Sequence, residues 1–75
     1  MGEGKTEIVS NIPGTVTRVL CRVGDTIVPG DSVVVVESMK MEIDIKSEVR
    51  GRVLEVHVAE GDAIDRDDVI AIVVC

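Results

Sequence analysis

Apolar and polar residues alternate along much of this chain, which is the pattern of half-buried β-strands. Val33 to Val36 form an uninterrupted β-branched run, and beyond Lys40 the residues Met41, Ile43 and Ile45 alternate with charged residues. Short runs of this kind, separated by turn residues, indicate strands of a β-sheet. No stretch has the spacing of an amphipathic helix. The pattern therefore predicts an all-β protein.

Turn residues divide the first half of the chain into short strands. The predicted strands are Thr6 to Ser10, Thr15 to Val23, Ile27 with Val28, and Ser32 to Glu37. Pro13-Gly14 is a turn signal, and Gly24 should supply the positive φ of the next turn. The changed apolar spacing between Val16 and Val19 predicts a β-bulge. Beyond the bulge, Cys21 and Val23 are expected to face the core together with Val19.

The second half of the chain repeats the first. A shift of 37 residues aligns Gly14 to Glu37 with Gly51 to Val74, and eight of those 24 positions are identical. The identical pairs are Gly14 with Gly51, Val16 with Val53, Val19 with Val56, Gly24 with Gly61, Asp25 with Asp62, Ile27 with Ile64, Asp31 with Asp68, and Val36 with Val73. We therefore expect one domain over residues 1–75, built from two four-strand copies at about 5–38 and 42–75.

The repeat predicts the architecture. Copies that cannot bury an apolar face alone pack against each other, here as a flattened barrel-sandwich of two four-stranded antiparallel sheets with a pseudo-two-fold axis. Met39, Lys40 and Met41 connect the two copies, and their repeat-equivalent positions fall at the two chain ends. The lysine turn and the chain ends should therefore lie at opposite ends of the molecule.

Composition and charge narrow the function classes. The chain has 45% hydrophobic residues but no Phe, Tyr or Trp, and its net charge is -6 at pH 7. Nucleic-acid binding is disfavoured because it relies on clustered Lys and Arg and on aromatic stacking. No apolar run approaches the roughly 18 residues of a membrane-spanning helix. Cys21 and Cys75 do not make a disulfide framework, which favours free thiols in a reducing compartment such as the cytoplasm.

Other polar residues predict no chemistry. Five carboxylates cluster in the second half, at Glu60, Asp62, Asp65, Asp67 and Asp68. The cluster lacks the central glycine and terminal glutamate of a calcium-binding hand, so we interpret it as a solvated turn. His57 alternates with Val56 and Val58, and its side chain should point to solvent. No set of Ser, Cys or His residues fits nucleophilic catalysis.

Lys40 is the strongest candidate for a functional residue. It lies between Met39 and Met41 in a predicted turn that has no Gly, Asn or Pro. Those residues normally supply the angles of a tight turn, so a requirement other than turn formation selected this triplet. A lysine at a hairpin tip is accessible to a modifying enzyme, and methionine offers a partner flexible apolar surface. Because lysine is protonated at neutral pH, such an enzyme would have to supply the base.

The residues around Lys40 resemble a known signature. Glu37-Ser38-Met39-Lys40-Met41-Glu42 is similar to the attachment motif of biotinyl (biotin carboxyl carrier) domains, whose commonest form has alanine at the position of Ser38. The resemblance extends from Ile8 to Val74. It implies that Lys40 carries covalent biotin, and that the modifying enzyme recognises the residues Met39, Met41, Glu37, Ser38 and Glu42. Some members carry a thumb insertion, but Arg18 to Asp31 aligns with the second half without a gap, so no thumb is expected here.

The resemblance also implies a carrier role and its partners. A biotin protein ligase would join biotin to Lys40, a biotin carboxylase would load carboxyl from bicarbonate with ATP, and a carboxyltransferase would pass it to an acceptor. The carrier would be cytoplasmic, or in the mitochondrial matrix if it belongs to a eukaryotic carboxylase. Two alternatives stay open: a lipoyl carrier of the same fold, and a cofactor-free β interaction module. Lipoyl domains usually have Asp-Lys at the tip, so Met39 favours biotin.

Overall fold

Eight β-strands form the part of the protein that the structure describes. The computed structural model describes residues 4–75, and within them there is no helix. The strands are β1 (Lys5–Val9), β2 (Gly14–Val19), β3 (Thr26–Ile27), β4 (Ser32–Ser38), β5 (Met41–Lys46), β6 (Gly51–Val56), β7 (Ala63–Ile64) and β8 (Val69–Val74). It follows that the described part of the chain has no helix that could cross a membrane.

The strands form two four-stranded antiparallel sheets, which confirms the predicted fold class. One sheet has the order β1-β8-β6-β3, and the other has the order β5-β4-β2-β7. Neither sheet corresponds to one repeat, because each takes two strands from the first half of the chain and two from the second. The connection 20–25 between β2 and β3 matches the connection 57–62 between β6 and β7 in length, and no thumb is inserted.

The repeat is visible in backbone hydrogen bonds that join the two halves. The Ser10 N–H donates to the Asp68 carbonyl at 2.9 Å, and the Ser47 N–H donates to the Asp31 carbonyl at 2.8 Å. These bonds are related by the shift of 37 residues with the halves exchanged. Two more related pairs follow the same rule. The Gly24 N–H donates to the Val53 carbonyl as the Gly61 N–H does to that of Val16, and the Val53 N–H donates to the Asp25 carbonyl as the Val16 N–H does to that of Asp62. The backbone therefore has pseudo-two-fold symmetry.

Aliphatic side chains from both sheets make up the core. The buried cluster consists of Ile8, Val16, Cys21, Ile27, Val33, Val34, Val36, Ile45, Val53, Ile64, Ile70, Ala71 and Val73. Two buried serines, Ser10 and Ser47, are satisfied locally: their hydroxyls donate to the carbonyls of Ile12 and Val49, two residues further along the chain. A core without aromatic rings can be this regular because β-branched side chains pack well on a pleated surface.

The β2 strand confirms one prediction and contradicts another. The register of β2 against β4 shifts between Val16 and Arg18, as the apolar spacing predicts, and Cys21 is buried. The strand ends at Val19, however, and the inward orientation predicted for Val23 is wrong, since its side chain is 65% exposed. The chain leaves the sheet there because it enters a turn in which the Asp25 carboxylate accepts a hydrogen bond from the N–H of Arg22.

The molecule is elongated, measuring 43 × 18 × 18 Å along its principal axes. In the β4–β5 hairpin, the pair of Ser38 and Met41 closes the turn that joins the two halves of the chain. The repeat-equivalent place is the pair of Cys75 and Gly4, where the N–H of Cys75 donates to the carbonyl of Gly4 at 3.0 Å. The pseudo-two-fold exchanges these two places. Their location at opposite ends of the long axis stays a prediction, which this symmetry supports.

Candidate functional site

The hairpin between β4 and β5 holds Lys40 at its tip. Ser38 pairs directly with Met41, so only Met39 and Lys40 form the turn. Both have a positive φ, 54° at Met39 and 67° at Lys40. Two-residue turns of type I′ require positive φ at both central positions, because only then does the turn match the twist of the strands. The sequence forms a tight hairpin here without the residues that usually make one.

This turn conformation is strained. A left-handed conformation costs roughly 1–2 kcal/mol for a residue with a Cβ, and it is usually left to Gly or Asn. The paired strands hold the turn in place, since β4 and β5 stay in register through the pairs Val36 with Ile43, Glu37 with Glu42, and Ser38 with Met41. Strain that a sheet maintains in this way is typical of functional positions. The side chains at Met39 and Lys40 are therefore retained at a cost in stability.

The ammonium group of Lys40 is accessible. Its side chain is exposed, and within residues 4–75 no hydrogen bond or ion pair holds it. The nearest carboxylates along the strands, Glu37 and Glu42, are exposed as well and lie directly opposite each other across the ladder. Like charges in a cross-strand pair repel, so these two residues serve something other than hairpin stability.

The six residues predicted from the sequence lie together around this tip. Met39 is 92% exposed and Met41 64%, which leaves their thioethers outside the core on either side of the lysine. Ser38 is half-buried, and Glu37 and Glu42 are exposed. The tip thus presents one amine, two apolar flexible side chains and two carboxylates to a partner. A cleft of about 430 Å³ lies elsewhere, between the edge strands β1 and β5, and none of the six residues lines it.

Gly14, in β2, is a contributor that the tip sequence alone does not reveal. A Cβ at this position would lie 2.5 Å from the carbonyl oxygen of Glu37 and 2.6 Å from Cγ1 of Val36. Only glycine lets β2 pack this closely against the strand that leads into the turn. Its repeat partner Gly51 approaches Val73 and Val74 in the same way. The identity of Gly14 and Gly51 in the repeat was the available signal.

The other candidate residues have local structural partners. The carboxylates of Asp62 and Asp68 accept hydrogen bonds from the N–H groups of Ala59 and Asp65, at 2.9 Å and 2.8 Å. In the part of the chain that the structure describes, no group of three or more potential ligands could hold a metal ion. His57 is exposed, and its Nε2 lies 2.6 Å from Oε1 of Glu55, a contact on the surface of β6 and the residue after it.

The chain matches a known family over almost its whole length. Residues 6–73 match the biotin/lipoyl family described as "Biotin-requiring enzyme". The chain belongs to this family. Its fold, an all-β barrel-sandwich with Lys40 in the hairpin between β4 and β5, is that of a biotinyl domain.

Named relatives agree with the membership. A "Biotinylated protein TB7.3 homolog" of Mycobacterium leprae is 40% identical over 67 residues, which are 89% of this chain and 94% of that protein. A "Biotin carboxyl carrier protein" of Streptococcus mutans is 37% identical over 57 residues, which are 76% of this chain and 44% of that protein. In the solved urea carboxylase of Kluyveromyces lactis, the match has a TM-score of 0.88 and 25% identity, covering 97% of this chain and 6% of that one. The chain therefore spans less than half of two of these relatives.

Proposed function

We propose that this chain is a biotin carboxyl carrier, with biotin joined through an amide bond to Nζ of Lys40. One observation carries the proposal: an exposed lysine without an ion-pair partner in residues 4–75 lies in a strained two-residue turn, inside the family's attachment motif. The chain's own contribution is to present the amine. Within residues 4–75 no carboxylate is hydrogen-bonded or ion-paired to Lys40, so in this proposal the ligase supplies the base that removes the ammonium proton before the amide forms.

The residues around Lys40 act in recognition. Met39 and Met41 offer the ligase adaptable apolar surface on both sides of the amine. Glu37 and Glu42, paired across the hairpin, give the same surface a negative charge that fits a basic region of the enzyme. Ser38 takes the place that alanine most often has in the motif, and it is half-buried next to the turn.

The carrier role follows from tethering. When bound, biotin holds the carboxyl group on its ring during transfer. The domain keeps this arm on a rigid two-sheet body, so that it visits a biotin carboxylase and a carboxyltransferase at high effective concentration without releasing the intermediate. In this proposal residues 1–75 are one carrier domain with repeat halves at about 5–38 and 42–75, it is not itself an enzyme, and it works in the cytoplasm or the mitochondrial matrix.

Intact mass with peptide mapping tests the proposal. The protein is expressed with a biotin protein ligase as wild type, as Lys40→Arg and as Lys46→Arg; the last is a matched control because Lys46 is an exposed lysine of β5, the strand that begins at the hairpin. We expect wild type and Lys46→Arg to gain one biotin on Lys40, and Lys40→Arg to gain none. No gain in wild type, attachment at another lysine, or a lipoyl mass on Lys40 would contradict the proposal.

A further inference from the structure

The two methionines beside Lys40 are exposed to a degree that is unusual for this residue type. Methionine is ordinarily a core residue, yet Met39 is 92% exposed and Met41 64%. The chain has no Phe, Tyr or Trp, so no contact with such a ring can shield either thioether. The remaining methionine, Met1, lies outside the described residues. Both sulfurs that flank the attachment lysine are thus open to dissolved oxidants.

We propose that Met39 and Met41 are a reversible oxidation site that controls modification of Lys40 by the ligase, an inference that rests on the proposed function. The oxidant class is a peroxide. A sulfur lone pair attacks one peroxide oxygen, the O–O bond breaks, and the oxygen stays on sulfur as a sulfoxide. With hydrogen peroxide the other oxygen leaves as water, so sulfur is oxidised and peroxide is reduced. A methionine sulfoxide reductase restores the thioether: two thiols supply the two electrons and two protons and become a disulfide, and the oxygen leaves as water.

Oxidation changes the recognition surface without damaging the fold. A sulfoxide is polar and chiral, and a ligase surface that accepts two apolar thioethers would have to bury these oxygens without partners. Neither methionine belongs to the core cluster, and the hairpin ladder is made by backbone groups. Met39 should oxidise before Met41, because it is the more exposed and lies in the turn, whereas Met41 is held in β5.

The cysteines must be kept apart from this chemistry. Cys21 is buried, but Cys75 is exposed, and a thiol competes for peroxide. All variants therefore carry Cys75→Ser. In this background, peroxide-treated and untreated proteins are mapped by mass spectrometry and then biotinylated by the ligase at equal concentration. We expect one added oxygen on each of Met39 and Met41, an initial biotinylation rate lowered roughly tenfold, and recovery of the rate after treatment with the reductases.

Two variants make the test specific. Met39→Leu/Met41→Leu removes both sulfurs, and the ratio of its treated to untreated rate should be one whatever its basal rate. Val23→Met added to that double variant restores one methionine at a surface site outside the hairpin, in the connection between β2 and β3, with matched exposure, 65% at Val23 against 64% at Met41. It should gain oxygen on residue 23 and keep a ratio of one. The connection that contains Val23 lies beside the start of β4, since Leu20, three residues before Val23, donates its N–H to the Val33 carbonyl. The hairpin with Lys40 follows the other end of that strand.

The outcomes separate this inference from the proposed function. If the untreated protein with both methionines, in the Cys75→Ser background, takes no biotin, the proposed function has failed. If it takes biotin and its treated form, with both sulfoxides mapped, is biotinylated at the untreated rate, the oxidation site is wrong while the carrier function stands. Slowing in the Val23→Met variant would likewise overturn the inference, because it would show an effect of peroxide that does not depend on the residues beside Lys40.

Discussion

Three residues other than glycine have a positive φ among residues 4–75, and the repeat separates them into two kinds. Asp67, with φ 73°, is the counterpart of Gly30, with φ 95°. The first half of the molecule therefore has glycine, which adopts a positive φ without strain, where the second half has a residue with a Cβ. Met39 and Lys40 show no such exchange, because the connection between halves occurs only once. Their strain is accounted for by what the side chains must do, namely to be read by a ligase and to receive biotin under the proposal.

Cys21 provides a prediction at the same scale, in the pH dependence of stability. Burial, and after it the negative charge of Asp25, raises the pKa of the Cys21 thiol above its ordinary value of 9.0. The folded protein therefore holds this proton at pH values where the unfolded chain has lost it, so the thiol's contribution is complete below the unfolded pKa and is lost as pH rises towards the folded pKa. Urea unfolding of wild type should show this fall in the free energy of unfolding.

Cys21→Val is the control for that measurement. Valine is the residue at the repeat-equivalent position, Val58, and it has no proton to lose. The difference in the free energy of unfolding between wild type and Cys21→Val should be constant at neutral pH and should move against wild type as pH rises above 9.0. A difference that stays constant over the alkaline range would show that the thiol titrates alike in the folded and unfolded chain.

At the scale of strands, the close approach of β2 to β4 connects the core to the attachment hairpin. Gly14→Ala would drive a methyl group into the Glu37 carbonyl, which is ladder backbone and cannot rotate away. Overpacking of this kind costs about 1–3 kcal/mol. Because the displaced strand continues into the turn, we expect Gly14→Ala to lower the free energy of unfolding and also to slow biotinylation of Lys40, measured at a temperature at which the variant is folded.

Gly51→Ala is the matched control for the hairpin effect. It creates the equivalent clash with Val73 and Val74, in the other sheet and next to the paired chain ends. Its loss of stability should be similar, and its biotinylation rate should equal that of wild type. Equal slowing in both variants would mean that the loss of stability slows the modification, and that displacement of β4 does not.

Local pattern explains why most of these elements could be predicted. The tip residues from Glu37 to Glu42 are contiguous, so their motif could be read directly, and the bulge after Val16 appears as a break in apolar spacing. The role of Gly14 could not be read in the same way, because it depends on the register of β2 against β4. Apolar alternation is right for Cys21, which is buried, and wrong for Val23, because the chain enters a turn at Arg22, whose N–H donates to the Asp25 carboxylate, and no longer follows a strand.

At the scale of the molecule, the two halves are interlocked. Of the six strand pairings, only β2 with β4 and β6 with β8 lie within one half. The other four, β1 with β8, β3 with β6, β2 with β7 and β4 with β5, join residues of different halves. The repeat itself was visible in the sequence, but this exchange of strands was not, since a period of 37 residues fits two separate sheets equally well. Pairing between halves is a tertiary property.

Interlocking predicts that neither half folds alone. A peptide of residues 1–38 retains only the β2–β4 pairing and loses every core side chain of β5 to β8, and an isolated two-stranded pairing is marginal in water. Its amide proton spectrum should be that of an unfolded chain, and so should that of residues 41–75. An equimolar mixture should recover dispersed signals as concentration rises, because all four strand pairings between the halves can re-form. Only the turn residues Met39 and Lys40 are missing. Dispersed signals from either peptide alone would show that one repeat contains a complete folding unit, and the pairings between halves would then be a docking of two preformed sheets.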